Sequence, residues 1–280
     1  MPIDLKRSRQ TLLKLSRELT KLVGKRVPEN VHKFRTHSRR VEALLSEVVL
    51  DHHRNDEKLL TLLAKLRKKA GRVRDLDVQI ESLRNLKIAG GNGHKTQFMD
   101  ALVEERRKRE QKLANAFDRK TAEEVRKRLR RSAHDLKLPS DFEPLALTLK
   151  KLIELGNDGS PLSERTLHQY RIVGKRARYI AELSAEDPEA TRVVKQLKYM
   201  QDVIGDWHDW LKLTQKAEKL LGSVRDSALV ALLRNVTQAK FRQSVDAVAS
   251  TRAGLIASDA SLMSAQVKKS TSSQAARAAA

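Results

Sequence analysis

The chain has 280 residues, with 57 Lys plus Arg against 35 Asp plus Glu and a formal net charge of +22. Hydrophobic residues make up 40% but aromatics only 4%, so a core must be built from Leu, Val, Ile and Ala, which suits packed helices better than twisted sheets. Cysteine is absent, excluding disulfides and thiolate metal sites, and no stretch approaches the roughly 18 apolar residues of a membrane span. The start MPIDLKRSRQ carries no apolar signal-peptide core, so a soluble, cytoplasmic protein is expected. Positive charge in this excess repels itself in a compact fold and favours a polyanionic partner, for which nucleic acid, an anionic membrane surface and polyphosphate all qualify.

Helical spacing of apolar residues opens with Leu5, Leu12, Leu15, Leu19 and Leu22 and continues through Val31, Phe34, Val41, Leu45 and Val48. It resumes with Leu59, Leu63, Leu66, Val73, Ile80 and Leu83, and no period-two run reads as a strand. Breaks fall at Gly24 to Pro28, Ala89 to Gly93, around Pro139, Gly156 to Gly159 and near Gly222. Thr121 with Glu124 reads as a capping box, and Ser160-Pro161 and Asp187-Pro188 each place a cap residue before Pro at the first helical position. The expectation is an all-α chain of about nine helices joined by short loops in antiparallel bundles. The tail, residues 259–280, is rich in Ser, Ala and Gln and is expected to be disordered.

Two segments recur in the same order. Val31-His32-Lys33-Phe34-Arg35, continuing to Arg39-Arg40, matches Leu167-His168-Gln169-Tyr170-Arg171, continuing to Lys175-Arg176, 136 residues later. Gly71 with Arg74-Asp75 matches Gly205 with His208-Asp209 at an offset of 134. Two related helical bundles follow, residues 1–139 and 140–258.

At about 100° per residue, His32, Arg35 and Arg39 share one helix face while Val31, Phe34, Val41 and Leu45 lie mostly opposite. The second copy presents His168, Arg171, Lys175 and Arg178 in the same way, and Arg40 and Arg176 flank the two stripes. Phosphate oxygens suit such stripes: guanidinium forks donate in pairs, Lys supplies a point charge, and His adds a pH-dependent donor. The following helices add Arg67, Lys68, Lys69, Arg72 and Arg74, then Lys195, Lys198 and His208. Asp75 and Asp209 stand among these cations and read as orienting residues that accept from a neighbouring Arg or His.

Taken together, His32-x-x-Arg35-x-x-x-Arg39-Arg40, Gly71-Arg72-Val73-Arg74-Asp75-Leu76-Asp77-Val78 and the second copy through Leu197, Gln201, Gly205, His208 and Asp209 resemble the CHAD domain, the conserved histidine α-helical domain. The resemblance spans roughly residues 5 to 255. It implies two four-helix bundles related by pseudo-twofold symmetry, with basic residues lining a central groove that binds inorganic polyphosphate. It also implies association with polyphosphate or polyhydroxyalkanoate granules. The family pattern has a further basic residue ten positions after each His; Arg178 supplies it in the second copy, whereas Glu42 stands there in the first. The expected polyphosphate contacts are Arg35, Arg39, Arg40, Arg171, Lys175, Arg176 and Arg178, supported by His32, His168, Arg67 and Arg74.

No chemistry on the ligand is expected, and no cofactor. The Glu-x-Glu-x-Lys strand of the triphosphatases often fused to CHAD domains is missing, and Gly90-Gly91-Asn92-Gly93 lacks the Lys-Ser/Thr of a phosphate loop. Asp51-His52-His53 and His208-Asp209 offer no third metal ligand. Nucleic acid, as RNA, is the rival ligand; scarce aromatics leave few stacking platforms for bases. A granule coat held by apolar helix faces is the remaining alternative.

Overall fold

The computed structural model describes residues 3–49, 53–88, 93–139, 142–156, 162–184, 187–225 and 227–278, the last helix with side chains through Leu255. Among them the chain is helical throughout: α1 (Leu5–Gly24), α2 (Pro28–Glu47), α3 (Arg54–Asn85), α4 (Gly93–Ala116), α5 (Arg119–His134), α6 (Pro144–Gly156), α7 (Glu164–Ala181), α8 (Pro188–Leu221) and α9 (Ala228–Ala278). The only pairing of extended backbone among the described residues is an isolated antiparallel bridge, Ile3 with Ser184. It ties the start of the chain to the end of α7, where Arg7 also donates to the Ser184 carbonyl at 3.2 Å.

Local chemistry sets the helix ends. Asp4 accepts from the backbone of Lys6 and Arg7 to start α1, and Pro28 occupies the first turn of α2. Asp187 caps α8 as expected, with Pro188 behind it, and Gly222 closes that helix at φ 85°, which a side chain would resist. Two expectations change. Helix α5 is capped by Asp118, which accepts from the Thr121 N–H at 2.6 Å, so Thr121 lies inside the helix, and Glu124 pairs with Arg128 instead of closing a capping box. Asp118 takes the cap position because its carboxylate reaches the backbone donor three residues ahead and its charge complements the positive end of the helix. The Ser160-Pro161 cap lies outside the described residues; α7 starts from a reciprocal Ser163–Thr166 box. Gly90 to Asn92, Asn157 to Gly159, and Asp51 and His52 also lie outside them.

Helix α9 runs from Ala228 to Ala278, through most of residues 259–280. Alanine, frequent there, is the best helix former and needs no partner to favour that backbone.

The interior holds three principal cores. Leu12, Leu15, Leu19, Phe34, Leu44, Leu59, Leu63, Val125 and Leu129 fill the first, between α1, α2, α5 and the first half of α3. Phe34 meets Phe117 edge to face at 5.0 Å within it. Leu149, Leu167, Tyr170, Leu197, Met200, Ile204, Trp207 and Val248 fill the second, between α6, α7, α8 and α9. A third core straddles the halves: Leu76, Ile80, Leu83, Phe98 and Leu102 of α3 and α4 pack on Leu213, Ala217, Leu229 and Leu233 of α8 and α9. The long helices α3 and α8 therefore each serve one half-core at one end and the shared core at the other.

A smaller cluster of Ala43, Tyr179 and Ile180, with Phe142 and Leu147, joins α2 to α7. The helix faces read from the sequence hold here, since Val31, Phe34, Val41 and Leu45 are all buried. Leu5 departs from its pattern and is 39% exposed, at the first residue of α1 where the chain has not yet reached the core.

Candidate anion-binding site

Helices α2 and α7 pack against each other and turn their cationic faces toward α3 and α8. Burial of Val31, Phe34 and Val41 on one side, and of Leu167, Tyr170 and Ala177 on the other, forces Arg35, Arg39, Arg171 and Lys175 into one place. The guanidinium of Arg35 lies flat on Gly71 of α3, whose Cα leaves 3.6 Å to Arg35 Nη2 even for an added methyl. A larger side chain at 71 would displace it. Arg35 Nη1 stands 3.5 Å from Asp75 Oδ1. Asp209 faces Arg171 and Lys175 electrostatically and lies 3.7 Å from His208 Nδ1.

This cluster is short of negative charge. Burial, opposed by Asp75 and reinforced by Arg39 and Arg171, lowers Arg35 to about 10. Arg171 is lowered by burial and by Arg39, against Asp209 and Asp75. Lys175 is pushed furthest, to about 6, by burial and then by Arg171, Arg39 and Arg35, with Asp209 opposing. The Nε–H groups of Arg35 and Arg171 are buried and have no acceptor among the described residues. A buried charged donor left unmatched is costly unless something else supplies the acceptor.

The histidines edge the cluster. His32 lies beside Arg74, Arg35 and Arg39, and its pKa is lowered by burial and then by those three cations. His168 stacks on His208 with ring centroids 6.0 Å apart and planes at 26°, and is lowered by burial and by Arg171 and His208. His208 keeps a buried Nδ1 without a hydrogen-bond partner among the described residues.

The remaining expected contacts hold protein carboxylates. Arg40 Nε donates to Glu182 Oε2 at 2.7 Å, and Arg178 Nε lies 3.4 Å from the other oxygen of the same carboxylate. Both guanidinium groups also face the Tyr179 ring, at 5.8 and 4.9 Å. These four residues weld α2 to the end of α7. Arg67 Nη2 donates to Glu42 Oε1 at 2.7 Å, so the acid that interrupts the first stripe neutralises a cation from α3. Arg176 stands 3.8 Å from Glu47, which Lys151 holds more closely at 2.9 Å. Arg39, Arg67, Arg171, Lys175 and Arg176 nevertheless line one open cleft of about 260 Å³ between α2 and α7. Lys68, Lys69, Lys195 and Lys198 are exposed, the last paired with Asp202 at 3.6 Å.

The sequence reading missed a second basic cleft. Beyond Asp75 and Asp209, Arg72 of α3, Arg109 of α4 and Lys212, Lys216 and Lys219 of α8 line an open volume of about 410 Å³. The i, i+4, i+7 spacing of the three lysines on α8 was the available signal, since it puts them on one face. Among the described residues no group of three or more His, Asp or Glu is placed to hold a metal ion, and no helix is long and apolar enough to cross a membrane.

Comparison with solved structures finds the crystal structure of the CHAD domain from the plant Ricinus communis at a TM-score of 0.67 and 17% identity, covering 91% of this chain and 93% of that one. At that identity the likeness concerns the fold. No curated protein matches. The family model for the CHAD domain matches residues 8–218, from the first turn of α1 nearly to the end of α8 and across both motif copies. The chain belongs to the CHAD domain family.

Proposed function

We propose that this protein binds inorganic polyphosphate, without acting on it, at the Arg35–Arg39–Arg171–Lys175 cluster. One observation carries the reading: two half-buried guanidinium groups, one from each motif copy, keep buried Nε–H donors unmatched beside a lysine that burial and its guanidinium neighbours push down to about 6. An anionic oxygen set there would accept from both groups and restore the lysine's charge. The paired placement of α2 with α7, and of α3 with α8, supports treating the chain as two related four-helix bundles that share one groove.

A chain of phosphates fits better than a nucleic acid. The aromatic ring of the cleft, Tyr179, is 5% exposed and already contacted by Arg40 and Arg178, so it offers bases no face. A granule coat would need a broad apolar surface, whereas among the described residues the exposed large apolar side chains are single positions such as Leu13, Val103 and Tyr199 on separate helices. A polymer binder of this kind would collect at cytoplasmic polyphosphate granules, which a fluorescent fusion would reveal.

Replacing Arg35, Arg171 and Lys175 together by Ala should remove most polyphosphate affinity while leaving the far-ultraviolet helical signal unchanged. Arg178 is left out because its loss would loosen the α2–α7 joint. Displacement of long-chain polyphosphate by single-stranded RNA at equal phosphate concentration would overturn the ligand assignment. Free phosphate released on incubation with divalent cations would overturn the binding-only reading.

A further inference from the structure

We infer that the cleft between α3, α4 and α8 is a second phosphate-binding station on the same path, so that the protein selects long phosphate chains over short ones. The inference rests on the polyphosphate reading above and extends it to chain length.

The two clefts meet at Asp75 and Asp209. Asp75 reaches Arg35 of the first cluster at 3.5 Å and lines the second cleft, and Asp209 lies between Arg171 and the second cleft in the same way. His208, with its unmatched buried Nδ1, lines the second cleft and stacks on His168 of the first stripe. A ligand leaving the Arg35–Arg171 pair therefore enters the second cleft directly.

The charge there is available. Arg72, Lys212 and Lys219 are exposed and have no carboxylate partner among the described residues; Lys212 donates only to Gln215 Oε1, at 3.1 Å. The remaining acid of the cleft, Glu105, is already matched by Lys216 at 2.6 Å and Arg109 at 3.4 Å, a contact that also fixes α4 to α8. The first cleft contrasts with this, because Arg67 and Arg176 there spend their charge on Glu42 and Glu47.

Geometry turns two stations into a length filter. The three lysines climb α8 by about 10 Å, at about 1.5 Å per residue, and lie beyond the Asp75–Asp209 junction with the first cluster, so a chain of three phosphates does not span both stations. A short chain occupies one station. A long chain occupies both, and the second contact forms at the high local concentration set by the first. The carboxylates at the junction repel phosphate, so the polymer's gain comes from the two basic stretches on either side.

The test compares tripolyphosphate and long-chain polyphosphate on the full chain, at fixed salt, for wild type and two triple variants. Arg72→Ala, Lys212→Ala and Lys219→Ala remove the free cations of the second cleft. Lys58→Ala, Lys120→Ala and Lys127→Ala remove the same charge from exposed positions on α3 and α5. The cleft variant should lose at least tenfold in long-chain affinity relative to the control variant and stay within about twofold for tripolyphosphate. Equal long-chain affinity in the two variants, or an equal loss for both ligands in the cleft variant, would overturn the second station. Should wild type bind neither phosphate chain, the polyphosphate reading itself fails, a result that the variant comparison cannot produce.

Discussion

Lys175 should make polyphosphate binding take up a proton. In the free protein its amine sits at about 6, far below the 10.5 of an unperturbed lysine, because burial and three guanidinium neighbours disfavour a fourth charge. At pH 8 the free site is neutral at this position. A bound phosphate chain supplies the missing counter-charge and draws the amine back toward its ordinary range. Between the two values each binding event consumes one proton, so affinity should fall by up to about tenfold, or about 1.4 kcal/mol, per pH unit as pH rises. Below pH 6 the lysine is charged in both states and contributes no slope; His32 and His168, both lowered from 6.5, carry any further gain there.

Calorimetry at pH 8 with long-chain polyphosphate, in two buffers of different ionisation enthalpy, counts the protons directly. Long chains keep titrating terminal phosphates few. About one proton should be taken up by wild type and close to none by Lys175→Arg, whose guanidinium stays charged. Uptake near zero in wild type, or undiminished uptake in Lys175→Arg, would refute the reasoning. The same shift acts on folding with a definite sign. The unfolded lysine holds its proton up to 10.5 and the folded one only to about 6, so the stability of the free protein rises with pH across that window and is lowest below it. Lys175→Met should therefore stabilise the free protein at pH 7 by about 1–3 kcal/mol, a Tm gain of several degrees, while weakening binding.

Four further outcomes follow from particular contacts. Glu42→Gln frees Arg67 into the first cleft and should tighten polyphosphate binding several-fold and steepen its salt dependence, measured by titration over a salt series. Glu182→Ala leaves Arg40 and Arg178 beside the Tyr179 ring without their shared carboxylate and should cost about 2–4 kcal/mol in chemical denaturation. Gln201 Nε2 donates to the Gly174 carbonyl at 2.7 Å in a buried position, so Gln201→Leu should cost about 1–2 kcal/mol by the same measurement. A methyl at Gly174 would meet Met200 Cε at 2.7 Å, and since that is a flexible tip, Gly174→Ala should cost only about 1 kcal/mol, relieved by Met200→Ala.

The helical faces were legible because burial and charge share the same period on a single helix. Val31 with Phe34 and His32 with Arg35 settle the orientation of α2 before any neighbour is known. The repeat then put Arg35 and Arg171 in equivalent roles, and the fold brings both to one cluster. What stayed hidden depends on pairs of helices. Whether Arg40, Arg67 or Arg176 is free is decided by Glu182, Glu42 and Glu47, which lie in other elements or on another turn, and nothing in one helix's pattern reports that. The core shared by α3, α4, α8 and α9 was hidden for the same reason. Leu76 and Leu213 read as ordinary seam residues, and only the crossing of the two long helices joins them in one core.

That shared core bears directly on how the site can exist. Arg35, Arg39, Arg171 and Lys175 repel one another, and helices joined only by loops would relieve the strain by moving apart. Here α2 and α7 are held at one end of the groove by Tyr179, Arg40, Arg178 and Glu182, and α3 and α8 at the other by the third core and the Lys216–Glu105 contact. These contacts at both ends oppose opening of the groove, so the repulsion stays in the cluster, with unmatched Nε–H donors and a Lys175 amine pushed down to about 6. On the proposed reading, a bound polyanion would release that cost without reorganising the helices, so affinity should rest on Arg35, Arg39, Arg171 and Lys175, while Arg40, Arg178 and Glu182 hold the frame.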